Sequence, residues 1–428
     1  MAPPPDPALA EDLAFRGLWH QETGSGLRQL LAAEAVTAYI GFDPTADSLH
    51  VGSLLQLCLL RRLQQAGHLP IALAGGATGM IGDPGGRSEE RALLDEEQLA
   101  ANLAGIRAQL ERFVDLDGGR ALLADNSDWL GPMGLLGFLR DVGKHFTVND
   151  MVAKESVRSR LERAEQGISY TEFSYMLLQA YDFLHLHDRH GCRLQCGGSD
   201  QFGNITMGVE LVRKMRGAQV YGLTSPLVLR SDGAKFGKSE SGTVWLDGRR
   251  TSPYALHQFF LRTEDAVVGA YLRYFTFLDH AEIAELDAAV AERPAERRAQ
   301  RVLAGEVCTL VHGRDETRRA EEAAAALFSE DVAALDEATL LEVMAEAPAS
   351  DRPRADLDAG LALVDALSDS GLARSKSEAR RAIGQGGAYV NNRRESDPDR
   401  LLTRDDLLAG RYVVLRKGRR DYHLLRFG

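Results

Sequence analysis

The sequence predicts an α/β protein built on a parallel sheet, followed by an α-helical domain and a small basic α+β unit. Three observations predict it. Short apolar runs alternate with amphipathic helical stretches from Ala38 to about Leu229, the spacing turns helical and rich in Ala, Glu and Arg from Ser252 to about Glu346, and the charge changes sign towards residue 428. The 428 residues carry 50 basic against 62 acidic side chains, a net of −12, yet residues 372–428 alone hold 14 basic and 7 acidic residues, a net of +7. An acidic body of net −19 with a basic appendage fits an enzyme with its own anion-binding domain, and excludes a chain that wraps nucleic acid along its whole length.

Apolar residues make up 44% and charged residues 26%, an ordinary globular composition. At roughly 100 to 200 residues per domain the length allows two to four domains. Four scattered cysteines make no disulfide framework and suit a reducing compartment. The opening MAPPPDPALAEDL lacks the basic and apolar regions of a signal peptide, and no apolar run reaches the roughly 18 residues of a membrane span. The expectation is a cytoplasmic protein with no membrane partner, mobile over residues 1–12.

Strands are expected at 38–42, 70–74, 121–125 and 193–196, with helices at 53–66 and 170–186. Gly67 and Gly191 stand just past those helices as stop signals. This gives a first domain over 1–229 and a helical domain over 230–346. EAPASDRPRADLD, with Pro348 and Pro353, reads as a linker at 347–357. A compact unit follows over 358–428: helices at 361–367 and 376–383, a Gly-Gly turn, and strands around 389–390 and 412–415.

Ligands of such sheets bind beyond the carboxyl ends of strands, so the turns carry the chemistry. In AYIGFDPTADSLHVGSL a strand turns through Asp43-Pro44-Thr45 and re-enters a helix after His50, exposing backbone N–H groups suited to phosphate. Gly41 and Gly52 let a nucleotide approach, and Thr45 and His50 can donate to its oxygens. In GGATGMIGDPGGRSEER, Asp83 would be costly to bury without a cation, and Arg87 and Arg91 can reach phosphate from a Gly-rich loop. Tyr175, Gln179 and Asp182 fall at i, i+4 and i+7, a polar stripe on an apolar helix that must face water or a polar ligand. LQCGGSDQFGN ends a strand at Gly198 and exposes Asp200, suited to ribose hydroxyls, and Gln201. SDGAKFGKSESG misses the phosphate-binding G-x-x-x-x-G-K-S by one residue, yet Lys235 and Lys238 suit a leaving pyrophosphate. His185, His187, His190, Cys192 and Cys196 lack the spacing of a zinc site, and no protein-held metal is expected.

YIGFDPTADSLHVG, GGATGMIGDP, YTEFSYMLLQAYDF, GGSDQFGNI and KFGKS, in this order, resemble the bacterial tyrosyl-tRNA synthetases, a class I aminoacyl-tRNA synthetase family, from about Ala38 onward. Residues from about 358, notably LVDALSDSGLARSKSEARRAIGQGGAYVN, resemble an S4 RNA-binding domain. The resemblance implies a Rossmann-like catalytic domain, a helical anticodon-binding domain over 230–346 and an S4-like tail. It implies a homodimer that uses L-tyrosine, ATP with Mg2+, and tRNA(Tyr).

Carried over by motif, Tyr39 and Asp182 would bond the substrate phenol and Asp83, Tyr175 and Gln179 its ammonium group, with Gln201 near its carboxylate. Gly41, Asp43, His50, Gly52, Gly198, Asp200 and Lys238 would surround ATP. Thr45, His50, Arg87, Arg91, Lys235 and Lys238 would act on the phosphates. The tail's basic residues Arg374, Lys376, Arg380, Arg381, Arg416, Lys417, Arg419 and Arg420 would meet tRNA. Two positions depart from the family pattern: Ser53 stands at the last place of the HIGH signature, and Ile40 where some members have a polar ribose contact. A non-catalytic RNA-binding protein on the same fold would be expected to lose the catalytic charges, which are present here. A small-molecule adenylyltransferase would not need the S4-like tail.

Overall fold

A computed structural model of the chain describes residues 4–83, 95–154, 157–158, 161, 167–234, 236–239, 242–326, 330–345, 347–418 and 421–428. It divides into two compact units, Met1–Thr251 with Phe260–Leu303, and Ser252–Phe259 with Ala304–Gly428.

The first unit is organised by strands β1 (Gln21–Glu22), β2 (Thr37–Phe42), β3 (Leu69–Ala74), β4 (Leu122–Asp125), β5 (Cys192–Gly198) and β6 (Tyr221–Ser225), in the order β1-β6-β5-β2-β3-β4. All neighbours run parallel except the antiparallel β1–β6 pair. From β2 the chain builds outward through β3 and β4, then returns to add β5 and β6 on the other side of β2. The order therefore reverses between β2 and β5, which opens a crevice at their carboxyl ends.

Helix Leu54–Gln65, between β2 and β3, buries Leu54, Leu55, Leu57, Cys58, Leu59, Leu60 and Leu63, nearly all round, because helices Glu96–Phe113 and Asp265–Phe275 pack on it as well as the sheet. Helix Tyr170–His190 is capped by Ser169, whose hydroxyl accepts the Glu172 N–H, and ends at Gly191 with φ of 63°. It runs a turn beyond the expected 186 because His187, Arg189 and His190 suit the negative end of a helix. Its apolar face shares one core with Tyr39, Ile71, Leu73, Met207, Leu211 and Val212. Strands β1 and β6 were not anticipated: β1 is two residues long, and QVYGLTS has no clean alternation. Two further short strands, β7 (Lys238–Ser239) and β8 (Gly242–Thr243), pair antiparallel.

The described residues of 252–345 are largely helical as expected, with helices including Asp265–Phe275, His280–Glu292, Arg298–His312 and Arg314–Ala326. In the second unit β9 (Ala349–Arg352), β10 (Leu361–Ala362), β11 (Ala388–Val390), β12 (Arg393–Glu395), β13 (Leu401–Leu402), β14 (Tyr412–Lys417) and β15 (Asp421–Phe427) form a five-stranded sheet, β12-β11-β14-β15-β9, and the pair β10–β13. Helices Leu363–Asp369 and Lys376–Gly384 share a core with Val413, Leu415, Leu425 and Phe427 on one face of that sheet. Leu340 and Met344 pack with Val414 and Leu424 on the other.

The stretch 347–357, expected as a linker, contains β9, which runs parallel to Leu424–Phe427. Its prolines flank the strand instead of breaking it. β9 lies at the sheet edge, where a missing N–H costs nothing, and the Pro348 carbonyl accepts the Leu424 N–H at 2.9 Å. The helix expected at 361–367 begins at Leu363 because Leu361 and Ala362 pair with β13.

Cys58, Cys192, Cys196 and Cys308 are free and buried. Among the described residues no helix is long and apolar enough to cross a membrane.

Candidate active site

The described residues that the motifs singled out stand on β2, at the end of β5, on helix Tyr170–His190 and in the segments that follow β2, β3 and β5. Tyr39 lies on β2, 1% exposed, its ring edge-on to Phe183 at 5.4 Å, and its hydroxyl meets no hydrogen-bond partner among the described residues. Burial, then the carboxylate of Asp182, holds that phenol un-ionised far above its ordinary range. Asp182, also buried, accepts from Asn126 Nδ2 at 3.0 Å and Trp129 Nε1 at 2.8 Å. Burial pushes its carboxyl up to about 7 against those two donors, with Asp43 and Asp125 adding repulsion. A buried carboxylate and a buried hydroxyl that lacks a partner among the described residues thus lie within electrostatic reach of each other. The unmet hydroxyl costs about 1–3 kcal/mol until a polar ligand reaches it.

Tyr175 donates to Asp43 Oδ2 at 2.8 Å, and Thr78 donates to Asp43 Oδ1 at 2.8 Å. Two side chains expected on different substrates are therefore bonded to each other. Asn126 Nδ2 also donates to Thr78 Oγ1 at 3.0 Å, and its Oδ1 accepts the Ala77 N–H at 2.8 Å, so one chain of contacts runs from Tyr175 to Asp182. The glycines of GGATG permit this packing: a Cβ on Gly75 would stand 2.2 Å from Asp43 Oδ1, and one on Gly76 2.3 Å from Asp125 Oδ1. A second chain links Gln201 Nε2 to Asp83 Oδ2 at 2.6 Å and Asn204 Nδ2 to Gln201 Oε1 and Gln179 Oε1 at 3.2 and 3.1 Å. Gln195, 2% exposed, leaves Oε1 without a partner among the described residues.

Around the turn after β2, Gly41 and Thr45 are exposed. His50 Nδ1 accepts the Gly52 N–H at 3.0 Å, which fixes the ring proton on Nε2 and leaves that nitrogen a donor. Gly52 has no room for a side chain, since a Cβ would sit 2.6 Å from the His50 ring. Ser53 makes no side-chain cap to the helix that follows, and Ile40 is buried in the sheet. At β5, Gly198 abuts Asp200, where a Cβ would come within 2.5 Å of Oδ1, and Asp200 is exposed.

The KFGKS segment meets the His50 turn through backbone: Val244 N–H donates to Gly237 O at 3.1 Å and Val51 N–H to Val244 O at 3.0 Å. Gly237 has φ of 99°, open to glycine at low cost. Phe236 anchors the segment on Phe260, Tyr271 and Phe275. Arg87, Arg91, Lys235, Arg419 and Arg420 lie outside the described residues, as does the Lys238 side chain.

Of the five residues that the spacing set aside as a zinc site, His185 stacks on Trp129 at 4.3 Å and His187 Nδ1 contacts Cys192 O at 2.9 Å. Sequence reasoning missed Thr78, Asn126, Trp129, Gln195 and Asn204. The signal for two of them was available, since Asn126 forms the turn after a strand that the sequence located and Trp129 lies in the short helix Ser127–Leu130 that follows it.

A family model described as class I tRNA synthetases (W and Y) matches residues 31–329, and one for the C-terminal domain of tyrosine–tRNA ligases matches residues 344–425. The tyrosine–tRNA ligase of Roseiflexus castenholzii is 54% identical over 421 residues, 98% of this chain and 99% of that protein. The chain belongs to the tyrosine–tRNA ligase family. Another tyrosine–tRNA ligase, from Geobacillus stearothermophilus, is 51% identical over 98% of this chain and 99% of its own length. A C-terminally truncated mitochondrial tyrosyl-tRNA synthetase of Aspergillus nidulans superposes with a TM-score of 0.67 at 34% identity, covering 75% of this chain and 94% of that one.

In this tyrosine–tRNA ligase family member the tail presents Arg374, Lys376, Arg380 and Arg381 exposed on or beside helix Lys376–Gly384, with Lys376 paired to Asp365 at 2.8 Å. Arg416 lies over the Tyr389 ring at 3.7 Å and near Tyr422 at 5.8 Å, the three in register across β11, β14 and β15. Lys417 points to the other face, where its ammonium bonds Glu378 at 2.9 Å and the Leu372 carbonyl.

Proposed function

We infer that this chain activates L-tyrosine with Mg-ATP and transfers it to tRNA(Tyr). The tyrosine carboxylate attacks the α-phosphorus and expels pyrophosphate; a 3′-terminal ribose hydroxyl of the tRNA then attacks the tyrosyl carbonyl and expels AMP. No protein nucleophile is required, because the substrate carboxylate is one, so the enzyme works by positioning and by stabilising phosphate charge. The observation that carries the reading is the buried Asp182–Tyr39 pair: an acceptor and a hydroxyl without a partner among the described residues are matched by a phenol, which can donate to the first and accept from the second.

Asp83, Tyr175 and Gln179 take the substrate ammonium, a reading supported by the Gln201–Asp83 bond and by the link from Gln201 through Asn204 to Gln179. His50 Nε2–H, Thr45, Lys235, Lys238, Arg87 and Arg91 act on the phosphates, and Gly198 and Asp200 hold the ribose. In the tail Arg374, Arg380, Arg381 and Arg416 contact tRNA. The enzyme works in the cytoplasm as a homodimer, a state supported by exposed apolar side chains at Leu135 (68%), Leu136 (81%) and Val148 (63%).

ATP–pyrophosphate exchange with each of the twenty amino acids tests the reading. Exchange with tyrosine alone is expected; equal exchange with phenylalanine, or none with any amino acid, overturns it.

A further inference from the structure

The segment that bears His50 is strapped from outside by residues that belong to none of the recognised motifs. Trp245 forms a backbone bridge with His50, and its ring meets the imidazole edge-on at 6.2 Å and 66°. Gly52 also lies against the imidazole, its N–H bonded to Nδ1 and a Cβ there 2.6 Å from the ring, so the ring has a glycine backbone and an indole as neighbours. The indole is covered in turn by the Arg250 guanidinium, 3.6 Å from its centre, and Arg250 is ion-paired with Asp47, three residues before His50. The contacts therefore close a ring, Asp47–Arg250–Trp245–His50, that starts and ends on one turn.

Backbone bonds reinforce it. Leu246 N–H donates to Leu49 O at 2.8 Å, Asp247 N–H to Ser48 Oγ at 3.2 Å, and Trp245 N–H to Thr251 Oγ1 at 3.0 Å. The strap continues directly into the β7–β8 hairpin that carries Lys238, through Val244 and Gly237.

We propose that Trp245, clamped by Arg250 and Asp47, is a positioning residue for adenylate formation: it fixes the His50 ring with Nε2–H toward the phosphates and sets the point from which the Lys238 hairpin springs. This rests on the phosphate role given to His50 above. A group displaced by about 1 Å loses on the order of 10²-fold in rate, whereas an exposed cation stacked on an indole contributes little to folding.

The test uses the full-length enzyme and compares Trp245→Leu, Trp245→Phe, Arg250→Met, His50→Asn and the double variant Trp245→Leu/His50→Asn, measuring kcat and KM for tyrosine activation and equilibrium tyrosine binding. Trp245→Leu is expected to lower kcat by about 10²-fold with tyrosine affinity within about twofold. Trp245→Phe should recover most of the rate, and Arg250→Met should give an intermediate loss. In the His50→Asn background Trp245→Leu should add little, because the ring it positions is gone.

A wild-type kcat in Trp245→Leu, loss of tyrosine binding in that variant, no recovery with phenylalanine, or fully multiplicative losses in the double variant would each overturn the proposal. His50→Asn alone separates the premise from the strap. A full rate there removes His50 from the phosphate site and the proposal with it, while a slow His50→Asn beside a fast Trp245→Leu removes the strap only.

Discussion

Asp182 stands where charge and burial oppose each other. Its carboxyl titrates near 7 chiefly because it is desolvated, well above the ordinary value of 3.8. The native state therefore holds a proton that the unfolded chain releases between about pH 4 and 7, and the stability associated with the neutral acid is present at low pH and lost as pH rises through that window. Two outcomes are expected. Asp182→Asn should gain stability relative to the parent on going from pH 5 to pH 8, which urea unfolding at both values measures. Tyrosine-over-phenylalanine discrimination in exchange should fall as pH drops from 8 to 6, because protonation removes the acceptor for the substrate phenol; a flat profile would take Asp182 out of the phenol site. Tyr39→Phe probes the same pair. Losing a buried hydroxyl that lacks a partner should leave stability unchanged or raise it by about 1 kcal/mol, while KM for tyrosine rises several-fold.

Strand β14 divides its two basic residues by the two-residue period of a strand. Arg416 faces Tyr389 and Tyr422, while Lys417 faces helix Lys376–Gly384 and is used up by Glu378 and a carbonyl. Arg416→Gln should lower the salt slope of tRNA binding by about one unit. Lys417→Met should leave the slope unchanged and cost the tail up to about 1 kcal/mol, measured by salt titration and thermal unfolding. The sequence joined the pair because charge can be counted along a chain whereas facing cannot, unless register is known. The same distinction governs the rest. β2, β3 and helix Tyr170–His190 were legible because periodicity and glycine stops are local. β1 and β9 were not, because a two-residue strand or a proline-flanked edge is defined by its partner across the sheet, and β6 was not, because its five residues are all buried and show no alternation. Within the site, Asp83, Tyr175, Gln179 and Asp182 stood out as polar groups in apolar or glycine-rich company. Thr78, Asn126 and Asn204 did not, since their importance lies in bonds to those residues and to Asp43.

At the scale of the molecule the tail can be removed cleanly only at a boundary that the sheets respect. Cutting at 356 would leave β9 without β15 and strip Val332, Leu340 and Met344 of their cover. A chain ending at Ala326 avoids both, and should keep tyrosine-dependent pyrophosphate exchange near the full-length rate while tRNA charging drops sharply. Charging that survives the cut across a range of salt would show that the tail is not the tRNA-binding appendage. The four buried thiols supply a way to watch each unit separately. Burial pushes Cys58 and Cys192 up to about 12 and raises Cys196 and Cys308 too, so a folded chain offers an alkylating reagent almost no thiolate. Three of these sulfurs report on the first unit and Cys308 alone on the second. Timed labelling followed by peptide mass measurement would then give two independent clocks for breathing, one per unit, in a protein carrying no added probe.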